Sequence, residues 1–195
     1  MSPRARHPHP EDVRTFLLDA ALRVFAQKGY EGASVRDIAG EAQVASGLLY
    51  HYFPGKHALL EALFARSAGL VMAAFGAAGA EPDARRRLAA LLRVSARLVR
   101  EHEDFWRVSY GVRFQQSVLA GLGPGIAAQS ALYHSLFTAL LTEIGRPTPE
   151  LEARLLFGAL DGVFQHYVLD PAGYPLDAVI DALIRQHGGD AEEGT

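Results

Sequence analysis

Apolar positions along this chain recur at spacings of three and four, in blocks punctuated by glycine and proline, which is the signature of consecutive amphipathic helices. From Glu11 to Lys28 the residues Val13, Phe16, Leu17, Ala20, Ala21, Val24 and Phe25 fall on one side, and Gly29 ends that helix. Ser34 is a good N-cap for a short second helix, with Asp37 three residues on giving a variant of the capping box. Its inner face is Val35, Ile38, Ala39 and Ala42. Gln43-Val44-Ala45 reads as a turn with Val44 between the helices, and Ser46 to Phe53 as a third helix. Leu49 and Phe53, four apart, are its inner face, while Ser46, Leu48, Tyr50, His51 and Tyr52 point outward; Pro54 and Gly55 stop it.

A long fourth helix is predicted from Lys56 to about Ala78, carrying Leu59, Leu60, Leu63, Phe64, Leu70, Val71, Ala74 and Phe75. Pro82 sits in the first turn of a fifth, ending near Arg100, and a sixth spans Asp104 to about Val118. Gly121, Gly123, Pro124 and Gly125 predict a break before a seventh helix ending near Ile144. Pro147 and Pro149 precede an eighth over Glu150–Leu169, and Pro171, Gly173 and Pro175 a ninth over Leu176–His187. Residues 1–10 read as a disordered arm, either a frayed terminus or a basic segment for a minor groove, and residues 188–195 as a disordered tail. The fold class is therefore all-α, about nine helices, with a small helical unit over 11–55 and a larger one over 56–187.

Composition narrows the chemistry. Of 195 residues 49% are hydrophobic and none is cysteine, which excludes disulfide frameworks and thiolate metal sites and fits a reducing cytoplasm. No uninterrupted apolar run reaches membrane-spanning length. Net charge is −3, so the chain is no general polyanion binder; yet residues 1–56 hold seven cationic against six acidic side chains, while the remainder holds twelve against sixteen.

The stretch from Ser34 to Lys56, SVRDIAGEAQVASGLLYHYFPGK, has the layout of a helix-turn-helix, whose second helix enters the major groove of DNA. Its run Gly47-Leu48-Leu49-Tyr50-His51-Tyr52-Phe53-Pro54 followed by Lys56 resembles the DNA-binding domain of TetR/AcrR-type transcriptional regulators, and the likeness extends from Phe16 to about Phe64. The resemblance implies a homodimer on a palindromic double-stranded DNA operator, released by a small-molecule effector. It further implies that Tyr50, Tyr52 and Lys56 contact phosphates, that Ser34 and Arg36 approach the backbone, and that Ser46, Gly47 and Leu48 lie near base edges. His51 faces either the groove or solvent. Two residues depart from the family pattern: Gln43 where glycine is usual, which demands a positive φ, and Ala45 where a serine or threonine cap is usual.

In the larger unit, Leu155, Gly158, Ala159 and Gly162 put small residues at helical spacing, and Leu176, Val179, Ile180, Leu183 and Ile184 form a stripe on the last helix. Both helices can pack solely on their own core; the resemblance instead implies a four-helix seam with a second copy. Helices four to seven are expected to enclose the effector cavity. Its aromatic candidates are Phe75, Trp106, Tyr110, Phe114, Tyr133 and Phe137, and its polar ones Arg113, Gln115, His134, Asp161 and His166. Trp106, Tyr110 and Arg113, at steps of four and three, can line one wall. Catalysis is not expected: His134, His166, Asp161, Glu103 and Asp104 match no catalytic or metal spacing, and no cofactor is called for. The most direct reading is a sequence-specific transcriptional regulator, a repressor by family majority. The alternatives are an activator or a helical small-molecule-binding protein or enzyme without a DNA role.

Overall fold

The computed structural model describes residues 10–188. Apart from Pro10 and Gly188, the expected arm and tail lie outside the described residues. Nine helices follow one another: α1 (Pro10–Lys28), α2 (Val35–Glu41), α3 (Ser46–Tyr52), α4 (Lys56–Ala78), α5 (Ala84–Glu101), α6 (Glu103–Val112), α7 (Gln116–Ile144), α8 (Pro149–Leu169) and α9 (Leu176–Gly188). No strand occurs among the described residues.

Two apolar cores result. The first gathers Leu17, Phe25, Ile38, Leu49 and Phe53 from α1 to α3 around Leu59, Leu60 and Leu63 of α4. Those three leucines are at most 1% exposed, and burying each contributes about 1.5–3 kcal/mol, so the first turns of α4 belong firmly to this head. Gly29, at φ 72, ends α1 in the left-handed conformation as expected. Phe16 departs from expectation: it is 48% exposed, and Leu18 is buried in its stead.

The second core joins Val71 and Phe75 of α4 to Leu88, Leu91 and Leu92 of α5, Leu141 of α7, Leu156 and Leu160 of α8, and Ile180 of α9. α4 is long and apolar enough, by length and composition alone, to cross a membrane, yet its inward side supplies both cores, as a globular helix does. Leu70, expected inside, is 42% exposed. Close to the α7–α8 turn the part-exposed Arg146 places its Nε 2.6 Å from Oε2 of the buried Glu152, and Nδ1 of the buried His187 lies 4.0 Å from the same oxygen.

Three expected boundaries are corrected. Pro82 lies ahead of α5, because Asp83 caps it by accepting the Arg86 N–H at 2.8 Å. α6 stops at Val112 and not at Val118, so Val118 belongs to the next helix. Gly121, Gly123, Pro124 and Gly125 do not break the chain: α7 runs through them unbroken. Proline costs a helix one amide and crowds the carbonyl four residues back. Here both Ala120 and Pro124 are exposed, so water can serve that carbonyl, and Val118, 0% exposed, anchors the preceding turn.

Candidate DNA interface and body cavity

The helix-turn-helix is locked by side chains that sequence reading identified. Ser34 Oγ accepts the Asp37 N–H at 3.1 Å, and Asp37 Oδ2 accepts the Ser34 N–H at 2.9 Å, a reciprocal capping box. Lys28 Nζ donates to the other carboxylate oxygen at 2.5 Å. The Lys28 hydrogen bond, then those from Ser34, hold the Asp37 carboxyl down at about 2. In the turn Gln43 takes φ 53, the single non-glycine residue with positive φ among the described residues, so the strain implied by a missing glycine is present. α3 begins at Ser46 with Ala45 as an N-cap that offers no side-chain hydrogen bond, and Ser46 does not take over the role.

The outer surface of α3 is open. Gly47, Leu48, Tyr50, His51 and, before it, Arg36 of α2 are exposed. Tyr50 is 55% and Leu48 40% exposed. Leu49 faces wholly inward. Ser46 and Tyr52 are half-buried, with Tyr52 packed against the head core and its ring 5.2 Å edge-on from His51. Lys56 is engaged within the head. Its ammonium donates to the Tyr30 carbonyl at 3.0 Å and to the Glu31 and Ala33 carbonyls at 3.4 Å, and it lies 4.6 Å over the Tyr30 ring. The residue staples α4 to the loop between α1 and α2 while its side chain stays partly exposed.

His57, beside it, bridges head and body. Its Nδ1 lies 3.5 Å from the Tyr30 hydroxyl, and a Cβ placed on Gly121 of α7 would sit 2.4 Å from its Nε2. Gly121 is therefore bare because an imidazole occupies the space beside it. Val108 and Val112 of α6 and Val118 of α7 also enter the head core, with Leu122 packed against it. Sequence reading assigned these residues to the body alone; apolar periodicity says which face is buried, never against which neighbour.

A cavity of about 120 Å³ opens between α4, α5, α6, α7 and α8. Of the expected residues Phe75, Trp106, Tyr110, Arg113, Tyr133 and Phe137 line it, and so does Asp161. Arg113 Nη1 is 2.5 Å from Asp161 Oδ2, and its guanidinium lies 4.8 Å over the Tyr110 ring. Burial chiefly, with the Asp161 charge adding, pushes the Tyr110 phenol far above its ordinary value. Burial acts to lower Arg113, but the Asp161 hydrogen bond together with the charges of Asp161 and Tyr110 outweighs it, and the guanidinium is held above its ordinary value.

Other expected cavity residues are corrected. Phe114, in the α6–α7 connection, is 83% exposed and lines no part of the cavity. His134 faces a separate surface hollow with Glu150 and Arg154, its ring 4.8 Å from Phe157. Gln115 donates to the Gly111 carbonyl, and His166 stacks on Tyr174; both lie away from the cavity. The expected enclosure by helices four to seven omitted α8, which contributes Phe157, Leu160 and Phe164. Their spacing of three and four was legible as a stripe, but the small residues alongside drew attention to the other face.

Of the expected seam residues, Leu155 (60% exposed) and Gly158 stand outside, and Ala159, Gly162 and Val179 are half-buried. Ile180 and Leu183 are corrected: at 2% and 9% exposed they are consumed by their own core. Leu151, at 57%, and Leu169, at 76%, extend the open stripe of α8 in both directions.

A trihelical head with an outward-facing second motif helix, joined by one long helix to a body built around an aromatic cavity, defines a helix-turn-helix regulator with a ligand-binding body. Residues 17–63 match the family described as bacterial regulatory proteins, tetR family, and residues 96–188 that described as tetracyclin repressor-like, C-terminal domain. This chain belongs to the TetR family of transcriptional regulators. A TetR-like transcriptional regulator from Rhodococcus sp. RHA1 is 28% identical, with 95% of this chain and 100% of that one covered at a TM-score of 0.79. A candidate transcriptional regulator from Pseudomonas aeruginosa PAO1 is 30% identical over 92% of this chain and 90% of that one, at a TM-score of 0.74. The transcriptional repressor KstR2 of Rhodococcus jostii is 46% identical over 48 residues, 25% of this chain and 24% of the repressor's own length.

Proposed function

We propose that this chain is a homodimeric repressor whose two heads occupy a palindromic operator and leave it when a largely apolar small molecule fills the body cavity. The observation that carries the reading is the open face of α3, where Gly47, Leu48, Tyr50 and His51 are all exposed on a helix held rigidly by its inward Leu49. Leu48 offers a thymine methyl an apolar contact, Gly47 lets the backbone approach, and Tyr50 with Arg36 reaches phosphates. Ser34 has its hydroxyl engaged with Asp37 and contributes by presenting the start of α2. Two half-sites need two heads about 34–36 Å apart, and the open α8 stripe supplies a self-complementary surface for that pairing.

Repression is favoured over activation by the likeness of the head to named repressors such as KstR2. In the switching step, ligand in the cavity presses α4 and α7, both of which also reach the head core. Ligand and operator then bind antagonistically, and linkage makes the antagonism reciprocal.

The test is fluorescence anisotropy with duplexes from upstream of the gene, over a range of salt concentrations. Binding should weaken steeply as salt rises, because several phosphates are neutralised. A chain that ignores every upstream fragment at low salt would sink the reading.

A further inference from the structure

The cavity wall holds opposite full charges at one place only, the Arg113–Asp161 pair; its other polar groups are neutral, the hydroxyls of Ser67, Ser95, Ser109 and Ser130 and the side chains of Gln129, Tyr110 and Tyr133. Ser95 Oγ donates to the Leu91 carbonyl at 2.8 Å, and Gln129 Nε2 to the Tyr133 hydroxyl at 2.8 Å. The pair is part-exposed, the two side chains being 32% and 31% exposed. One guanidinium N–H is used by Asp161, while the fork carries five, so Arg113 retains donors for an incoming acceptor. An anion accepting from Arg113 would also lie close to the Asp161 carboxylate, 2.5 Å from the same guanidinium; repulsion then offsets much of the attraction, and the loss of hydration is poorly compensated. A cation meets the same cancellation with signs reversed. A neutral carbonyl accepts from Arg113 without provoking Asp161.

Resting on the reading that this cavity holds the effector, we propose that Asp161 is its specificity residue: by neutralising Arg113 it admits neutral, compact, apolar molecules bearing a hydrogen-bond acceptor and turns carboxylates away. The volume supports compactness, since about 120 Å³ compares with roughly 150 Å³ for an engineered apolar cavity that takes up benzene. The aromatic wall of Phe75, Phe105, Trp106 and Phe157 suits a flat ring.

The chain has a single tryptophan, Trp106, and it lies on this wall, so its emission reports occupancy directly. Methyl benzoate, benzoate and toluene serve as probes, sharing a ring and differing in charge and acceptor. The wild-type chain should take the ester about tenfold more tightly than either benzoate or toluene, the scale of one hydrogen bond to a charged donor. Asp161→Asn should raise benzoate affinity about tenfold while moving the ester less than about threefold. In the double variant Arg113→Gln/Asp161→Asn, which leaves both positions neutral, the ester should again be preferred over the acid, because no charge is left to offset the carboxylate's lost hydration. Benzoate bound as tightly as the ester by the wild type, benzoate unmoved by Asp161→Asn, or no emission change with any probe in either protein would each overturn the proposal. Operator release is measured in parallel. If the ester binds and the switch in preference occurs but DNA is held throughout, the effector reading fails while the specificity of the site stands.

Discussion

Single residues set the precision of the head. Ala45 occupies an N-cap position in extended backbone and leaves the first amides of α3 without a side-chain acceptor. Ala45→Ser should stabilise the protein by about 0.5–2 kcal/mol, which at this chain length is roughly 2–4 °C per kcal/mol in thermal melting. An unchanged melting temperature would show that those amides are already satisfied by water. Both irregularities of the turn, Gln43 and Ala45, were legible because each departs from the pattern of the family that the sequence resembles, at a position where backbone chemistry gives the usual residue its role. The position of Lys56 was not legible. Its partners are carbonyls of residues 30, 31 and 33, and a sequence shows a cation without showing which acceptors the fold brings within reach.

Among the elements, most helices lie close to where hydrophobic spacing put them, but α6 stops at Val112 and α7 starts early and runs through the expected break. Glycine and proline lower helix propensity, but burial of Val118 and contact of Leu122 with the head core override it. The bare α-carbon of Gly121 has a separate origin in the imidazole of His57. In a double-mutant cycle Gly121→Ala should be less favourable with His57 present than in a His57→Ala background, where the gain in propensity of about 1 kcal/mol is realised in full. Chemical denaturation of the four proteins gives the coupling, expected to exceed about 0.5 kcal/mol. A coupling of zero would mean the ring moves aside freely and carries nothing between head and body. The cavity was half legible for a related reason: aromatic residues announce themselves, but the direction of Phe114 in a connection between helices depends on where α6 ends.

At the scale of the whole molecule the open α8 stripe is the seam of the proposed dimer. Leu155, 60% exposed at its centre, is expected to face its own copy across the two-fold axis. Leu155→Arg should therefore give a folded monomer by sedimentation, with operator affinity lowered at least about a hundredfold because two heads no longer bind as one unit. A variant that stays dimeric and binds normally would place the seam elsewhere.

The distribution of ion pairs has a consequence of its own. Arg23–Glu41, Lys28–Asp37 and Arg66–Asp19 stay within residues 10–66, while Arg87–Glu143, Arg93–Asp181, Arg100–Asp177, Arg113–Asp161 and Arg146–Glu152 stay within 84–188. Between Arg66 and Glu81, α4 carries no formal charge. These eight pairs leave the joint to Val108, Val112, Val118 and Leu122, which meet the head through apolar contact. Added salt should therefore weaken the grip on DNA much more than it weakens that joint.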